Sequence, residues 1–375
     1  MPGYHTESCI IKHANDIKEP WLDLQSRADS SYFQSWGWIQ AWLQQIAFDL
    51  QPVAVKVWCD GRLVGIGLFV SRDIKRRVFF RARAMYLNEY PFDGRNMVIE
   101  YNGLLTDREH EEASYIETVN HLLSEYKSYD EYVFGAIDED SSPFNSEPSL
   151  VEHVNYILYE ESASWSVDLM GFEPGIDSYL ACLSRNRRGQ IRRSIRLYEK
   201  NGELQIDEAE NVRQAMFYFE QLKKLHSDYW QSKGKGGSFA NPLWERFHLA
   251  LIKERFDADE IQLLKVSSQI GEIGYIYNVV LDKHVYVIQT GFNRSLDKRL
   301  MPGYVAHALA IVYNRSKGML IYDLMHGESL YKHILCNRSR KLRWIVIQRK
   351  RLKFSIENFT VGLVRSLRGL CSPKT

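Results

Sequence analysis

The pattern that most constrains the fold lies in the last third of the chain, where apolar runs alternate with glycine and polar turns. A helix is predicted to open at Pro302-Gly303 and to continue through the apolar stretch 304–313. After the turn 316–318, residues 319–322 are predicted to form a strand, and a polar loop beginning at Asp323 leads to a second helix. A helix that begins at Pro-Gly presents free backbone N–H groups and a positive dipole end, which suit a phosphate or pyrophosphate.

The composition bounds the class of protein. A chain of 375 residues with 45% hydrophobic and 25% charged residues is typical of a globular protein with two domains. A net charge of +1 provides no overall field that favours nucleic acid or membrane. The 5 cysteines are widely spaced, without a CxxC pair, which argues against a disulfide framework or a metal site. For the same reason we expect no metal. We expect a cytoplasmic protein, since we find neither a signal peptide nor an apolar run long enough to span a bilayer.

The order of predicted elements repeats along the chain. We predict an α/β (α+β) fold of two tandem domains, each with a mixed central sheet flanked by helices, over residues 1–160 and 161–350, followed by a basic tail over 351–375. Helices are predicted at 35–43, 111–126, 175–200, 212–230 and 242–254. Strands are predicted at 53–58, 63–70, 83–87, 101–105, 132–137, 164–169, 261–266, 272–281, 284–290 and 344–347, with a turn at 91–94 and a polar connector from 141 to 146.

Four patches of sequence carry a resemblance to a known family. They are Ser35-Trp36-Gly37-Trp38 with Trp42; the segment 225–230 with Gly234, Gly237, Phe239 and Phe247-His248; the segment 301–304; and the segment 323–332. In their order and spacing the chain resembles the FemAB-like branch of the GNAT acyltransferase superfamily. Within that branch it is similar to the CelD type, often associated with cellulose or exopolysaccharide biosynthesis.

The resemblance implies two tandem GNAT-like folds, of which only the second keeps a donor site. It also implies transfer of an acyl or aminoacyl group, from a thioester or a charged tRNA, to an amine or hydroxyl. The phosphate loop of such folds corresponds here to Arg299-Leu300-Met301-Pro302-Gly303-Tyr304, with one glycine where two are usual. On this basis we expect Pro302, Gly303 and Tyr304 to bind the donor, acyl-CoA, with Lys332 as a further phosphate ligand. The alternatives are an ordinary helix entry and an exposed helical lysine.

Residues for proton transfer are expected near the second predicted helix. In GNAT-like folds a Tyr at this place can protonate the departing thiolate, and Tyr331 matches it. The alternative is an aromatic side chain that only packs. For the base that deprotonates the acceptor we consider Asp323, Glu328, His226 and His326, and we favour Asp323 and His226. A lone histidine is more often structural.

The segment 233–239 is a flexible, basic, glycine-rich loop bracketed by aromatic residues. We expect Tyr229, Trp230 and Phe239, with Glu328, to contact an anionic or glycan substrate. The alternative is a solvated linker.

Two basic stretches have several interpretations. The arginine-rich segment 185–196 could contact tRNA, donor phosphates or a lipid-linked acceptor, or be only a solvated helix face. The segment 338–353 could lie near a membrane surface as a peripheral contact with polysaccharide machinery.

Three functions are therefore weighed. The first is an acyl-CoA-dependent N- or O-acyltransferase that acts on a carbohydrate or a cell-envelope precursor. The second is an aminoacyl-tRNA-dependent transferase. The third is a catalytically silent GNAT-like binding module in polysaccharide assembly.

Overall fold

The computed structural model describes residues 3–45, 50–76, 81–89, 91–92, 95–96, 99–140, 154–200, 202–269, 271–294, 297 and 299–357. They divide into two compact units. The first comprises residues up to 39, from 46 to 161 and from 342 onward, and the second comprises 40–45 and 162–341. The predicted domains, 1–160 and 161–350, differ from these units mainly at the C-terminal strand, which clusters with the first unit from residue 342. Asp93, Gly94, the connector 141–146 and the predicted tail beyond 357 lie outside the described residues.

The strands, in chain order, are β1 (Tyr4–Ile10), β2 (Val53–Cys59), β3 (Arg62–Lys75), β4 (Arg81–Leu87), β5 (Pro91–Phe92), β6 (Arg95–Asn96), β7 (Leu105–Thr106), β8 (Glu131–Asp138), β9 (Val154–Asp168), β10 (Gln205–Glu208), β11 (Ile261–Ser268), β12 (Gly271–Leu281), β13 (His284–Phe292), β14 (Ile321–His326) and β15 (Arg338–Arg349). The helices are α1 (Lys18–Gln25), α2 (Trp36–Gln45), α3 (Glu111–Glu125), α4 (Ile176–Ala181), α5 (Arg185–Glu199), α6 (Val212–Ser232), α7 (Pro242–Arg255), α8 (Pro302–Ser316) and α9 (Leu330–Leu335).

The sheet of the first unit runs β1-β2-β3-β4-β8-β15. Strands β1 to β4 pair antiparallel, β8 lies parallel to β4, and β15 lies antiparallel to β8. Helix α3 packs on this sheet through Tyr115, Val119 and Leu122, which belong to the same buried cluster as Phe69 and Phe134. The 3.6-residue spacing of these apolar side chains is what predicts the helix from sequence.

The sheet of the second unit runs β9-β14-β13-β12-β11-β10 and is covered on both faces. Along β12 the side chains alternate. Ile276 joins the core cluster formed with α5 and α8, whereas the Tyr277 ring contacts Phe219 of α6 and His248 of α7. The turn between β12 and β13 has positive φ at both Asp282 and Lys283, 47° and 63°, as a two-residue hairpin requires.

Most predicted elements are confirmed, and three differ. The predicted helix 175–200 is two helices, α4 and α5. The predicted strand 101–105 reduces to β7, because Tyr101 has a φ of 49° and Asn102 pairs with β8 only through an isolated bridge to Ile137. Strand β14 continues through Asp323 to His326, so Asp323 lies within the strand and not in a loop after it.

The two units repeat one plan, and this confirms the predicted repetition of element order. In each, three antiparallel strands are followed by a helix and a strand parallel to the third: β2-β3-β4-α3-β8 and β11-β12-β13-α8-β14. The parallel pairing covers residues 84–86 with 131–133 in the first unit and residues 284–286 with 321–323 in the second. Beyond these pairs the two strands part, which leaves a gap in each sheet.

The gap in the first unit is filled by the chain itself. The backbone N–H of Asn102 donates to the carbonyl of Ala136 on β8 at 3.0 Å, and Asn102 and Ile137 form a parallel β-bridge. On the other side, the Asn102 amide donates to the carbonyl of Leu87 at 2.9 Å, and the Asn88 amide donates to the carbonyl of Gly103 at 2.8 Å. The segment thus bonds to both parting strands.

Candidate active site

In the second unit the parting strands lie beside a β-bulge. Pairing of β13 with β14 ends at Tyr286 and Asp323. On its other edge β13 slips by one residue against β12, so that Ile288 is the extra residue between Val287 and Gln289. A bulge turns backbone groups out of the regular ladder, which is a common device next to active sites.

Helix α8 begins at the end of β13 and presents unsatisfied N–H groups. Pro302 is its first residue, and the preceding Met301 is fixed by a hydrogen bond from its N–H to Ser194 Oγ of α5 at 3.0 Å. The N–H groups of Gly303 and Tyr304 have no carbonyl partner within the helix. A Cβ on Gly303 would lie 3.2 Å from the ring of Phe292, so glycine permits the close approach of the helix to the end of β13.

Arg187 connects this helix start with a nearby cavity. Burial raises the pKa of the Tyr304 hydroxyl, and the positive charge of Arg187 opposes that rise, which places the guanidinium near Tyr304. Among the described residues Arg187 pairs with no carboxylate; it donates to Gln190 Oε1 at 2.9 Å. The cavity has a volume of about 280 Å³, and its polar wall comprises Cys182, Ser184, Arg187, His333, Cys336 and Asn337. This wall can accept a polar or anionic group.

Tyr331 lies on α9 as predicted and stacks on a histidine that the sequence analysis did not select. The rings of Tyr331 and His307 are 5.7 Å apart and nearly parallel, at 13°. His307 is 1% exposed, and burial, reinforced by the charge of Lys332, lowers its pKa to about 3. The imidazole is therefore neutral in the physiological range. A polar residue within the apolar run 304–313 was the signal that could have identified it.

Lys332 and Asp323 are buried and hold the end of β14. The Lys332 ammonium donates to the carbonyls of Met325, at 3.2 Å, and His326. Asp323 is 1% exposed; its carboxylate accepts the N–H of Met325 at 2.6 Å and lies 3.3 Å from His284 Nε2. This bond supports the φ of 67° at Met325, where the pairing with β9 is irregular. Both side chains thus make structural contacts.

His226 joins α6 to β13 and to the loop 233–239. Its Nδ1 lies 3.2 Å from the carbonyl of Thr290, and its Nε2 faces the N–H of Ser238 at 3.4 Å. Since only a nitrogen that carries hydrogen can donate to the carbonyl, Nδ1 is protonated and Nε2 is the acceptor. Burial lowers the pKa of His226, and the Thr290 carbonyl partly opposes this.

The aromatic residues predicted to contact substrate surround His226. Phe239 packs edge-on at 5.3 Å and Trp230 lies at 6.0 Å from its ring. Tyr229 lies next to Trp230, at 5.5 Å, and the guanidinium of Arg294 sits 3.7 Å from the Tyr229 ring centroid. Arg294 follows the end of β13, so these rings and cations gather at the same strand end as α8.

Glu328 is exposed in the loop before α9. Its carboxylate lies 3.3 Å from His333 Nε2, and the His333 ring contacts Trp165 at 3.8 Å. His326, the last residue of β14, supplies one of the carbonyls that Lys332 binds. The predicted residues therefore form two groups: the donor side at α8 and α9, and the aromatic side at α6.

Among the described residues no group of three or more His, Cys, Asp or Glu side chains could hold a metal ion, and no described helix combines the length and apolarity of a bilayer crossing.

The fold and this arrangement define a class. Residues 185–333 match the family model of the acetyltransferase (GNAT) domain. The second unit therefore carries a GNAT-type acyltransferase fold.

Solved structures share the fold at low sequence identity. FemX is 9% identical, covers 90% of this chain and 96% of its own, and has a TM-score of 0.55. The C-terminal domain of a putative lysylphosphatidylglycerol synthetase from Agrobacterium fabrum is 10% identical, with coverages of 90% and 92% and a TM-score of 0.51. L-PGS from Bacillus licheniformis is 9% identical, with coverages of 92% and 96% and the same TM-score. A comparison with curated protein sequences finds no match.

Proposed function

We propose that this protein is an acyltransferase that moves an acyl group from acyl-CoA to an amine or hydroxyl of a carbohydrate or cell-envelope precursor, as in the CelD-type resemblance. The observation that carries the proposal is the gap between β13 and β14, which begins beyond Tyr286 and Asp323 and is bordered by a bulge and a helix start. The thioester lies in this gap, and the phosphates lie at Gly303 and Tyr304 with Arg187 beside them.

The reaction is a direct transfer. The acceptor nitrogen or oxygen attacks the thioester carbonyl carbon, the carbon–sulfur bond breaks, and the leaving thiolate takes a proton from Tyr331. The bulge at Ile288 offers a backbone N–H for the oxyanion, a role whose loss typically costs about 100-fold or more in rate. His226 is our candidate for the base that removes the proton from the acceptor, since its Nε2 has only a long contact, 3.4 Å, with the Ser238 N–H. Asp323 is the weaker candidate because it is buried and occupied by the Met325 N–H.

We assign the acceptor to the aromatic side at α6. Tyr229, Trp230 and Phe239 provide flat apolar surfaces of the kind that pack against sugar rings. Arg294 lies on the Tyr229 ring and pairs with no carboxylate among the described residues, which favours an acceptor with a negative charge.

The second candidate donor is an aminoacyl-tRNA, and helix α5 favours it. Arg185, Arg193 and Arg196 are exposed, and within the described part of the chain they pair with no carboxylate, whereas Arg192 binds Asp177 at 2.6 Å. A row of unpaired arginines on one helix face attracts a phosphate backbone. Replacing these three residues by Gln should weaken tRNA binding and flatten its salt dependence if this donor is the correct one.

The test is a thermal-shift titration of the purified protein with acetyl-CoA, longer acyl-CoAs, free coenzyme A and charged tRNA. A ligand that binds only the folded state raises the melting temperature as its concentration passes the dissociation constant. A shift with a thioester supports the first donor and should be followed by measurement of thiol release with a panel of amino sugars and polysaccharide fragments. A shift with tRNA alone supports the second donor. The absence of any shift would favour the catalytically silent binding module.

A further inference from the structure

His307 holds a hydrogen-bonding group that the protein itself does not satisfy. Its Nδ1 lies 3.1 Å from the hydroxyl of Tyr322 on β14. Its Nε2 is fully buried and has no hydrogen-bond partner among the described residues. Buried polar atoms without a partner are rare, since each keeps the cost of its lost hydration, and they call for a specific explanation.

The pairing with Tyr322 determines which atom carries the hydrogen. If Nδ1–H donated to the Tyr322 oxygen, then both the Tyr322 hydroxyl hydrogen and the Nε2 lone pair would be left without a partner. If the hydroxyl donates to Nδ1, only the Nε2–H is left. The second arrangement leaves fewer buried groups unsatisfied, so Nε2 is the protonated nitrogen and a donor.

The His307 imidazole lies among the elements that border the gap between β13 and β14. Phe292, at the end of β13, packs edge-on against His307 at 5.6 Å, Tyr322 belongs to β14, and Tyr331 of α9 stacks on its face. The imidazole thus touches both parting strands and the proposed proton donor. Phe292 is only partly buried and also lies close to Gly303 at the start of α8, so its ring contacts both the helix start and the imidazole.

We propose that the Nε2–H of His307 binds the acyl donor by donating a hydrogen bond to one of its carbonyl oxygens. The inference rests on the proposed function, because an acyl donor brings carbonyl groups, those of the thioester and of the adjoining amides, into the gap between β13 and β14. A neutral imidazole suits a neutral carbonyl, and the burial that keeps His307 uncharged also strengthens a bond formed there.

The chain contains a matched control. His248 on α7 is also buried, its Nδ1 lies 3.2 Å from the hydroxyl of Tyr277, and burial lowers its pKa to about 3. It packs on β12 with Trp244 and Phe247, away from α8 and α9. Replacing either histidine by Phe keeps a ring and removes one buried histidine–tyrosine hydrogen bond.

The experiment is calorimetric titration of the wild type, His307→Phe and His248→Phe with acetyl-CoA and with S-acetylpantetheine, which lacks the nucleotide phosphates. His307→Phe should weaken both ligands by the same factor, about fivefold for one neutral hydrogen bond. His248→Phe should change neither by more than about twofold. Equal affinity of the wild type and His307→Phe would overturn the inference and leave the proposed function intact. A wild type that binds neither ligand would overturn the proposed thioester donor as well.

A second measurement does not depend on a variant that folds. Nitrogen-15 NMR of the histidine rings in the wild type should show His307 as the Nε2-protonated tautomer, with an Nε2 resonance that shifts when acetyl-CoA is added. The Nδ1-protonated tautomer, or a resonance that saturating acetyl-CoA leaves in place, would overturn the inference.

Discussion

The ring of Tyr331 lies almost parallel to the imidazole of His307, with centroids 5.7 Å apart and an interplanar angle of 13°. The stack joins α9 to α8. Because His307 is fixed by Tyr322, the position of the Tyr331 phenol is set by side chains on two other elements. If Tyr331 is the proton donor, as we propose, its hydroxyl is positioned before the transfer begins.

Replacing Tyr331 by Phe should lower turnover about 100-fold and leave donor affinity nearly unchanged, since the stacked ring is kept and only the proton donor is lost. Steady-state kinetics and calorimetric binding of acetyl-CoA measure the two effects. Tyr313→Phe is the control, because that hydroxyl donates to Glu208 at the other end of α8. Equal turnover in both variants would remove Tyr331 from the reaction.

Replacing Gly303 by Val should weaken donor binding about tenfold. A Cβ at this position lies 3.2 Å from the Phe292 ring, and crowding of this kind costs about 1–3 kcal/mol. Gly189→Val in α5 is the control, since a Cβ there has no heavy atom within 4 Å. Binding of coenzyme A to both variants checks the prediction, and a Gly303→Val variant that binds like Gly189→Val would place the phosphates elsewhere.

The buried carboxyl group of Glu89 should make the stability of the first unit fall as the pH rises. It is 4% exposed, and burial raises the pKa of its carboxyl from 4.5 to about 8. Between these values the folded state keeps a proton that the unfolded state has released, so stability falls by up to about 1.4 kcal/mol per pH unit. Urea unfolding at pH 5.5 and pH 8 should show this loss in the wild type and a much smaller one in Glu89→Gln. Parallel behaviour of the two proteins would contradict the buried position of the carboxyl.

Replacing Asn102 by Ala should destabilise the first unit by about 2–4 kcal/mol and leave the donor affinity of the second unaffected. The side chain makes three buried hydrogen bonds, to the Asn88 amide, the Gly103 N–H and the Leu87 carbonyl. Chemical denaturation followed by tryptophan fluorescence, together with acetyl-CoA titration, tests both parts. A loss of donor affinity equal to that of Gly303→Val would refute the independence of the two clefts.

The sequence predicts the elements of the fold well because their signals are local. The alternation of β11 to β13, the Asp282-Lys283 turn and the proline start of α8 each depend on a few neighbouring residues. The end of β14 was mispredicted because Asp323 looks like a loop residue, whereas in the structure its carboxylate binds the N–H of Met325 within the strand. The pairing of His326 with Ser164 of β9, which extends the strand, joins residues far apart in the chain and cannot be seen in a single sequence.

The site is only partly predictable for the same reason. Tyr331 and the start of α8 follow from local patterns and from the family resemblance. Lys332 looks like a surface phosphate ligand, but its ammonium turns inward to two carbonyls of β14. His307 stands in an otherwise apolar run, and only its contacts with Phe292, Tyr322 and Tyr331 distinguish it from an ordinary core residue.

The segment that fills the gap of the first unit, residues 102 and 103, can be regarded as a permanently bound ligand. Residues 102 and 103 are tethered to the strands they bridge, so their effective concentration is fixed and high, and no solute of ordinary concentration displaces them. The second gap has no such tethered occupant among the described residues. On the proposed function, donor binding should therefore raise the stability of the second unit as the donor concentration rises, and should leave that of the first unit unchanged.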